Sequence, residues 1–197
     1  EGWRLGTPDA IFEMQEDYEV PAAGIVEYEY FYIPTNFTEA QWLTGIEVRP
    51  GNREVVHHVI VLYEAPPDGP RATPALKFGP EQDLPPSREG HRPKRKATNP
   101  RRMIASYAPG TDPQVFRPGT ALRLAPGGTI ELQMHYTTNG KPATDRTRVG
   151  MMFAKEPPMH ELRASAFMNT KLTIPAGARD HKVDAKVELV QDLMLWG

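Results

Sequence analysis

Cysteine is absent from the 197-residue chain, so neither a disulfide framework nor a thiolate metal site can be built from it. No apolar run approaches the ~18–20 residues that a helix needs to cross a bilayer, so no membrane span is expected. A dominant charge sign is lacking too. The 23 Lys and Arg stand against 25 Asp and Glu, a formal net charge of −2, and that balance argues for neither a nucleic-acid nor a membrane-surface partner. There is no internal repeat of solenoid or propeller type. Phosphate-binding glycine loops, a nucleophile elbow and a Ser-His-Asp spacing are missing as well. The chain opens at Glu1 with neither methionine nor a signal-like apolar segment, as expected where a targeting segment has been removed.

What the chain has in quantity is punctuation. Its 21 Pro and 16 Gly make up close to a fifth of the residues, a density that favours many short strands over long helices. Hydrophobic residues amount to 39%, enough for a packed core, which excludes disorder of the whole chain. The length suits one large β-domain, or one domain and the start of another.

Strand signals recur along the chain. Residues 25–33 (IVEYEYFYI) alternate in period two and end at Pro34. The run WLTGIEVR stops at the turn Pro50-Gly51-Asn52, and REVVHHVIVLY follows at once, so the two are expected to be antiparallel neighbours. Between Pro66 and Arg102 the pattern gives way to Pro, Gly and charge, which reads as a long surface excursion. Order resumes with RMIASY. The clearest signal is TIELQMHYT, where Ile130, Leu132, Met134 and Tyr136 take one face and Glu131, Gln133 and His135 the other. RVGMMF and LRASAFMNTKLTIP add two more strands, and HKVDAKVELV begins a last one. With no helix of good 3.6 periodicity, the expected fold is all-β: a jelly-roll-like antiparallel β-sandwich.

Three histidines stand out. His57 and His58 are adjacent inside an apolar strand, and successive side chains of an ideal strand point to opposite faces. Both rings can therefore reach one ion only at a bulge, a strand end or a sheet edge, where the backbone re-aims one of them. His135 lies on the polar face of a strand whose other face is core, so packing does not require it. Together they make a candidate three-imidazole site of the kind that copper and zinc accept. Gln133, Glu131 and Tyr107 are the candidates for orienting the rings.

The segments VVHHVIVLYEAP, SYAPG and LQMHYTTNGKPATDRTRVGMMFAKEPP together resemble the copper type II, ascorbate-dependent monooxygenases, the family of peptidylglycine α-hydroxylating monooxygenase and dopamine β-monooxygenase, and most closely its bacterial branch. The resemblance covers most of residues 2–197. It implies a secreted or periplasmic protein with two jelly-roll-like domains, each holding one copper. The first uses an HH pair and a later His in an HY strand for the electron-transfer copper, positions matched here by His57, His58 and His135. The second domain supplies a His-x-His pair and a Met for the copper at which dioxygen and a small-molecule substrate react. This chain contains no His-x-His. It is thus expected to comprise an N-terminal copper domain over 1–175, with the irregular loop 66–102, and over 176–197 the start of a truncated second domain or a final strand. Alone it is expected to bind one copper and to hydroxylate nothing. Ascorbate or another reductant would be co-substrate, and the missing catalytic domain the partner. Two other readings stay open: a stand-alone copper carrier, and a carbohydrate- or protein-binding jelly roll without metal.

The remaining candidates have blander readings. His91, His160 and His181 have no second ligand beside them on a strand and read as surface histidines. Met134, Met151 and Met152 fall in apolar strands and read as core. The basic runs Arg92–Lys96 and Arg101-Arg102 lack interleaved aromatics and read as solvated loop. Asn36-Phe37-Thr38 matches the glycosylation pattern, which matters only in a eukaryotic secretory host.

Overall fold

The computed structural model describes residues 2–66, 76–77, 101–164, 169, 172–185, 188–189 and 194. Among them the regular elements are all strands: β1 (Ala10–Glu13), β2 (Tyr18–Val20), β3 (Glu29–Pro34), β4 (Gln41–Arg49), β5 (Val56–Glu64), β6 (Leu76–Lys77), β7 (Arg101–Tyr107), β8 (Gln114–Val115), β9 (Thr120–Leu124), β10 (Thr129–Tyr136), β11 (Ala143–Asp145), β12 (Arg148–Phe153), β13 (His160–Leu162) and β14 (Glu188–Leu189). No helix among the described residues is long and apolar enough to cross a membrane.

The chain divides into two compact units, one of residues 1–70 and 88–164, the other of 71–87 and 165–197. In the larger unit, one sheet runs β1-β12-β4-β9-β13 with β8 also paired to β4, and a second runs β3-β10-β5-β7. A short β2–β11 ribbon stands beside them. Every pairing is antiparallel except β9 with β13. In the smaller unit, β6 pairs antiparallel with β14, and residues 172–185 are exposed and outside any strand.

The period-two pattern explains how the sheets meet. On β10, Ile130, Leu132, Met134 and Tyr136 are all buried, joined from β5 by Val56, Val59, Val61 and Tyr63. Leu43, Ile46 and Val48 of β4, Leu122 and Leu124 of β9, and Val149 and Met151 of β12 belong to the same apolar cluster. One core shared by the inner faces of two sheets is a β-sandwich. At roughly 1.5–3 kcal/mol for each fully buried aliphatic side chain, this shared face dominates the stability.

Four expectations change. β4 and β5 are not neighbours: β4 pairs with β12, β9 and β8, and β5 with β10 and β7. The turn at Pro50–Asn52 carries the chain from one sheet to the other. At Gly51 an added Cβ would stand 2.6 Å from the backbone nitrogen of Arg146, so only glycine fits that crossing. The strand expected over 25–33 begins only at Glu29, and Ile25 is 85% exposed. Of the strand expected over 162–175, only Leu162 lies in one among the described residues. Most of the loop 66–102 lies outside the described residues, and its end, Arg101-Arg102, opens β7.

Candidate metal centre

Val56 and Val59 are both buried, yet they stand three residues apart, and in a regular strand an odd spacing puts side chains on opposite faces. The register supplies the missing residue. Tyr136 pairs with Val56 and His135 with His58, which leaves His57 as the extra residue of a β-bulge. The bulge keeps both valines in the core and sends both histidines to the outer face. Flattening it would expose one valine, at a cost of roughly 1.5–3 kcal/mol.

A buried carboxylate anchors the bulged end. Asp145 Oδ1 accepts from the backbone N–H of Asn52 at 2.9 Å, in the turn that launches β5. Its Oδ2 accepts from the Tyr136 hydroxyl at 3.0 Å and from the Thr147 hydroxyl at 2.8 Å. The N–H of Thr137 donates to the carbonyl of Val55 at 2.8 Å, closing the pairing just beyond the bulge. Burial first, and then the adjacent Asp145 carboxylate, hold the Tyr136 phenol protonated far above its ordinary range. The Tyr136 ring stacks on Tyr18 with centroids 4.7 Å apart. Burial, together with a hydrogen bond to Glu29, pushes the Tyr18 phenol up to about 12.

On this frame the three histidines converge. One nitrogen from each of His57, His58 and His135 lies within 4.8 Å of the other two. The Nδ1 atoms of His57 and His58 are 3.2 Å apart. Ring centroids are separated by 5.4 Å for His57 and His58, 5.1 Å for His57 and His135, and 4.9 Å for His58 and His135. His57 is exposed and the other two are half-buried. His135 Nδ1 is itself buried and has no hydrogen-bond partner among the described residues. Burial is the largest cause lowering the affinity of His58 and His135 for a proton. The positive fields of His135 and His57 act in the same sense on His58, as does that of His57 on His135, where Glu27 opposes in part. Both rings are therefore neutral at neutral pH, the form that offers a lone pair to a metal.

Such a set is chemically selective. Imidazoles suit late first-row divalent ions and copper in either oxidation state, whereas magnesium and calcium require oxygen donors. Ligand nitrogens around one ion with bonds of ~2.0–2.1 Å stand roughly 3–4 Å apart, so the observed spacing needs only ring adjustment. Among the described residues no other group of three His, Asp or Glu side chains converges in this way.

The candidates for orienting the rings have other partners. Gln133 Nε2 donates to the Tyr30 hydroxyl at 3.0 Å. Glu131 is fully buried beside Arg101, whose Nε lies 2.9 Å from Glu131 Oε2, and Tyr107 is buried in the core. The residue that touches the histidines is Tyr28. Its ring stacks on His135 at 5.0 Å and 28°, and leans on His58 at 5.7 Å and 56°. The signal for it was the alternation Tyr28, Tyr30, Tyr32, but which strand those rings oppose emerges only from the pairing. His160 and His181 are exposed and are not members of the converging group, and His91 lies outside the described residues. Met134 and Met151 are fully buried and Met152 is half-buried. Arg102 donates to the Arg123 carbonyl and Arg101 is held by Glu131, so neither is free for phosphate. Arg92–Lys96 lies outside the described residues. Asn36 is exposed, with φ 54°. The chain matches no protein-family model, no curated protein and no solved structure.

Proposed function

We propose that His57, His58 and His135 bind one copper ion and that the chain is the electron-transfer domain of a secreted or periplasmic copper-dependent monooxygenase. The observation that carries the metal reading is the convergence of three imidazoles at a bulge, with the buried Nδ1 of His135 lacking a partner among the described residues. A buried acceptor without a partner is costly, and a bound cation is one way to satisfy it. The choice of copper, and of a monooxygenase, rests on the resemblance of the two histidine strands and the segments around them. Copper held there would supply one-electron chemistry.

The chain's own residues supply the frame. The bulge aims His57 and His58 to one side, the Asp145 network fixes the start of β5 against β10, and three neutral ligands add no charge of their own. A set held this firmly suits both oxidation states with little rearrangement. In the parent enzyme the stored electron would serve hydroxylation of a C–H bond by dioxygen, with a reductant such as ascorbate, at a second copper in a partner domain bearing a His-x-His pair and a Met.

Titration with Cu(II), followed by electron paramagnetic resonance and voltammetry, tests this reading. One type II signal at one equivalent and a reversible Cu(II)/Cu(I) couple are expected. Tight binding without a reversible couple would favour a stand-alone carrier. Absence of binding would leave a jelly-roll module for a carbohydrate or protein partner. A coding sequence that continues downstream without His-x-His would remove the monooxygenase.

A further inference from the structure

We infer that Tyr28 is the positioning residue of the three-histidine site, its ring holding His58 and His135 in their ligand orientation before any metal arrives. This inference rests on the metal reading above.

The placement follows from the register. On β3 and β10, Gln133 pairs with Tyr30 and Met134 with Glu29, so one further step sets Tyr28 opposite His135. Strand alternation puts Tyr28 and Tyr30 on the face that carries Gln133 and His135. Cross-strand neighbours on one face are close enough for aromatic rings to meet. Here they do: the Tyr28 and His135 rings are nearly parallel, at 28° with centroids 5.0 Å apart. The same tyrosine lies 5.7 Å from the His58 ring at 56°, so one side chain restrains two of the three ligands.

Among the described residues no comparable restraint from an aromatic side chain outside the cluster reaches His57. Among the described residues its ring contacts are with the other two histidines, and it is the exposed member of the set. The site is therefore asymmetric, with two imidazoles held by an aromatic face and a third at the exposed side of the bulge. Holding a ring in place in advance avoids the loss of rotamer freedom that would otherwise oppose binding. A tyrosine in this position acts through the histidines and has no need to touch the ion.

The test compares Tyr28→Ala, Tyr28→Phe and Tyr30→Ala in the full chain. Cu(II) affinity is measured by competition with a chelator, and histidine ring shifts by NMR in metal-free protein. Tyr28→Ala is expected to lower affinity roughly tenfold, as changes beside a ligand do, and to abolish the ring-current shift at His135. Tyr28→Phe keeps the aromatic face and is expected to stay within about twofold of wild type. Tyr30→Ala removes the next aromatic on the same face, one hydrogen-bonded to Gln133, and is expected to leave affinity unchanged.

Equal affinities for wild type and Tyr28→Ala would overturn the role of Tyr28 while leaving the metal site intact. An equal loss in Tyr30→Ala would mark the effect as general destabilisation and overturn it too. A wild-type chain that takes up neither Cu(II) nor Zn(II) would overturn the metal reading, and the inference with it. Should Tyr28→Ala not fold, nuclear Overhauser contacts between the Tyr28 and His135 rings in metal-free wild type decide the matter, their absence counting against the proposal.

Discussion

The outer face of the β3-β10-β5-β7 sheet carries two polar clusters, and they differ in how they are satisfied. At one end Arg101 sits between two carboxylates: its Nε is 2.9 Å from Glu131 and 3.7 Å from Glu64, and all three side chains are nearly or fully buried. At the other, four residues along β10 and so roughly 13 Å away, three imidazoles face one another, with the field of Glu27 reaching His135. The first cluster brings opposite charges together, one guanidinium between two carboxylates, so each charge faces a partner. The second gathers groups of one kind, which repel when protonated and, when neutral, leave a buried nitrogen without a partner among the described residues. Buried polarity of the first sort is costly to break by removing one partner, and polarity of the second sort leaves room for a ligand.

The largest effect expected from this contrast is on stability. Arg101→Ala would strand two buried carboxylates and should cost about 3–5 kcal/mol in denaturant unfolding, while copper affinity stays unchanged. A loss below about 1 kcal/mol would mean that the pair is better hydrated than its burial indicates. Next comes ligand linkage. Copper at a hundredfold excess over its dissociation constant should raise unfolding stability by roughly 2.7 kcal/mol. The increment should be the same in Arg101→Ala, and an unequal one would show the two ends to be coupled.

His135→Ala should do the reverse of Arg101→Ala. Copper affinity is expected to fall at least tenfold, about 1.4 kcal/mol or more, given that even residues behind a ligand are worth about 10–100-fold. Metal-free stability should change by no more than about 1 kcal/mol. Unchanged affinity would remove His135 from the site. The smallest effect is that of pH on the metal-free protein. Burial, and after it the neighbouring histidines, lowers the pKa of His58 and His135 in the folded state below the unfolded value of 6.5. The unfolded chain then binds more protons in that interval, so stability is complete above 6.5 and declines as pH falls below it. Copper affinity should be level at neutral pH and above and weaken on acidification through the lowered imidazole range, because protons compete for the same nitrogens. Stability that rises on acidification through this window would contradict the lowered values.

Much of this was legible before folding. The alternation of TIELQMHY marked Ile130, Leu132, Met134 and Tyr136 for the core, and all four are buried. Two adjacent histidines reaching one side required an irregular strand, and the register shift at His57 is that irregularity. Other features were out of reach. Glu131 reads as solvent-facing by alternation, yet it is fully buried because Arg101, from a distant strand, neutralises it. β4 and β5 look like a hairpin because a turn joins them, but the pairing energy of each lies with strands far along the chain.

Side-chain periodicity and turn residues are local properties, so they determined the all-β class, the inward residues and the need for a bulge, a strand end or a sheet edge if the paired histidines were to share one ion. Which strands lie side by side is a matter of long-range closure, with many alternatives that match the same local pattern. Only the assembled sandwich decided that β10 lies between β3 and β5, and so brought His135 against His58 and Tyr28 against His135.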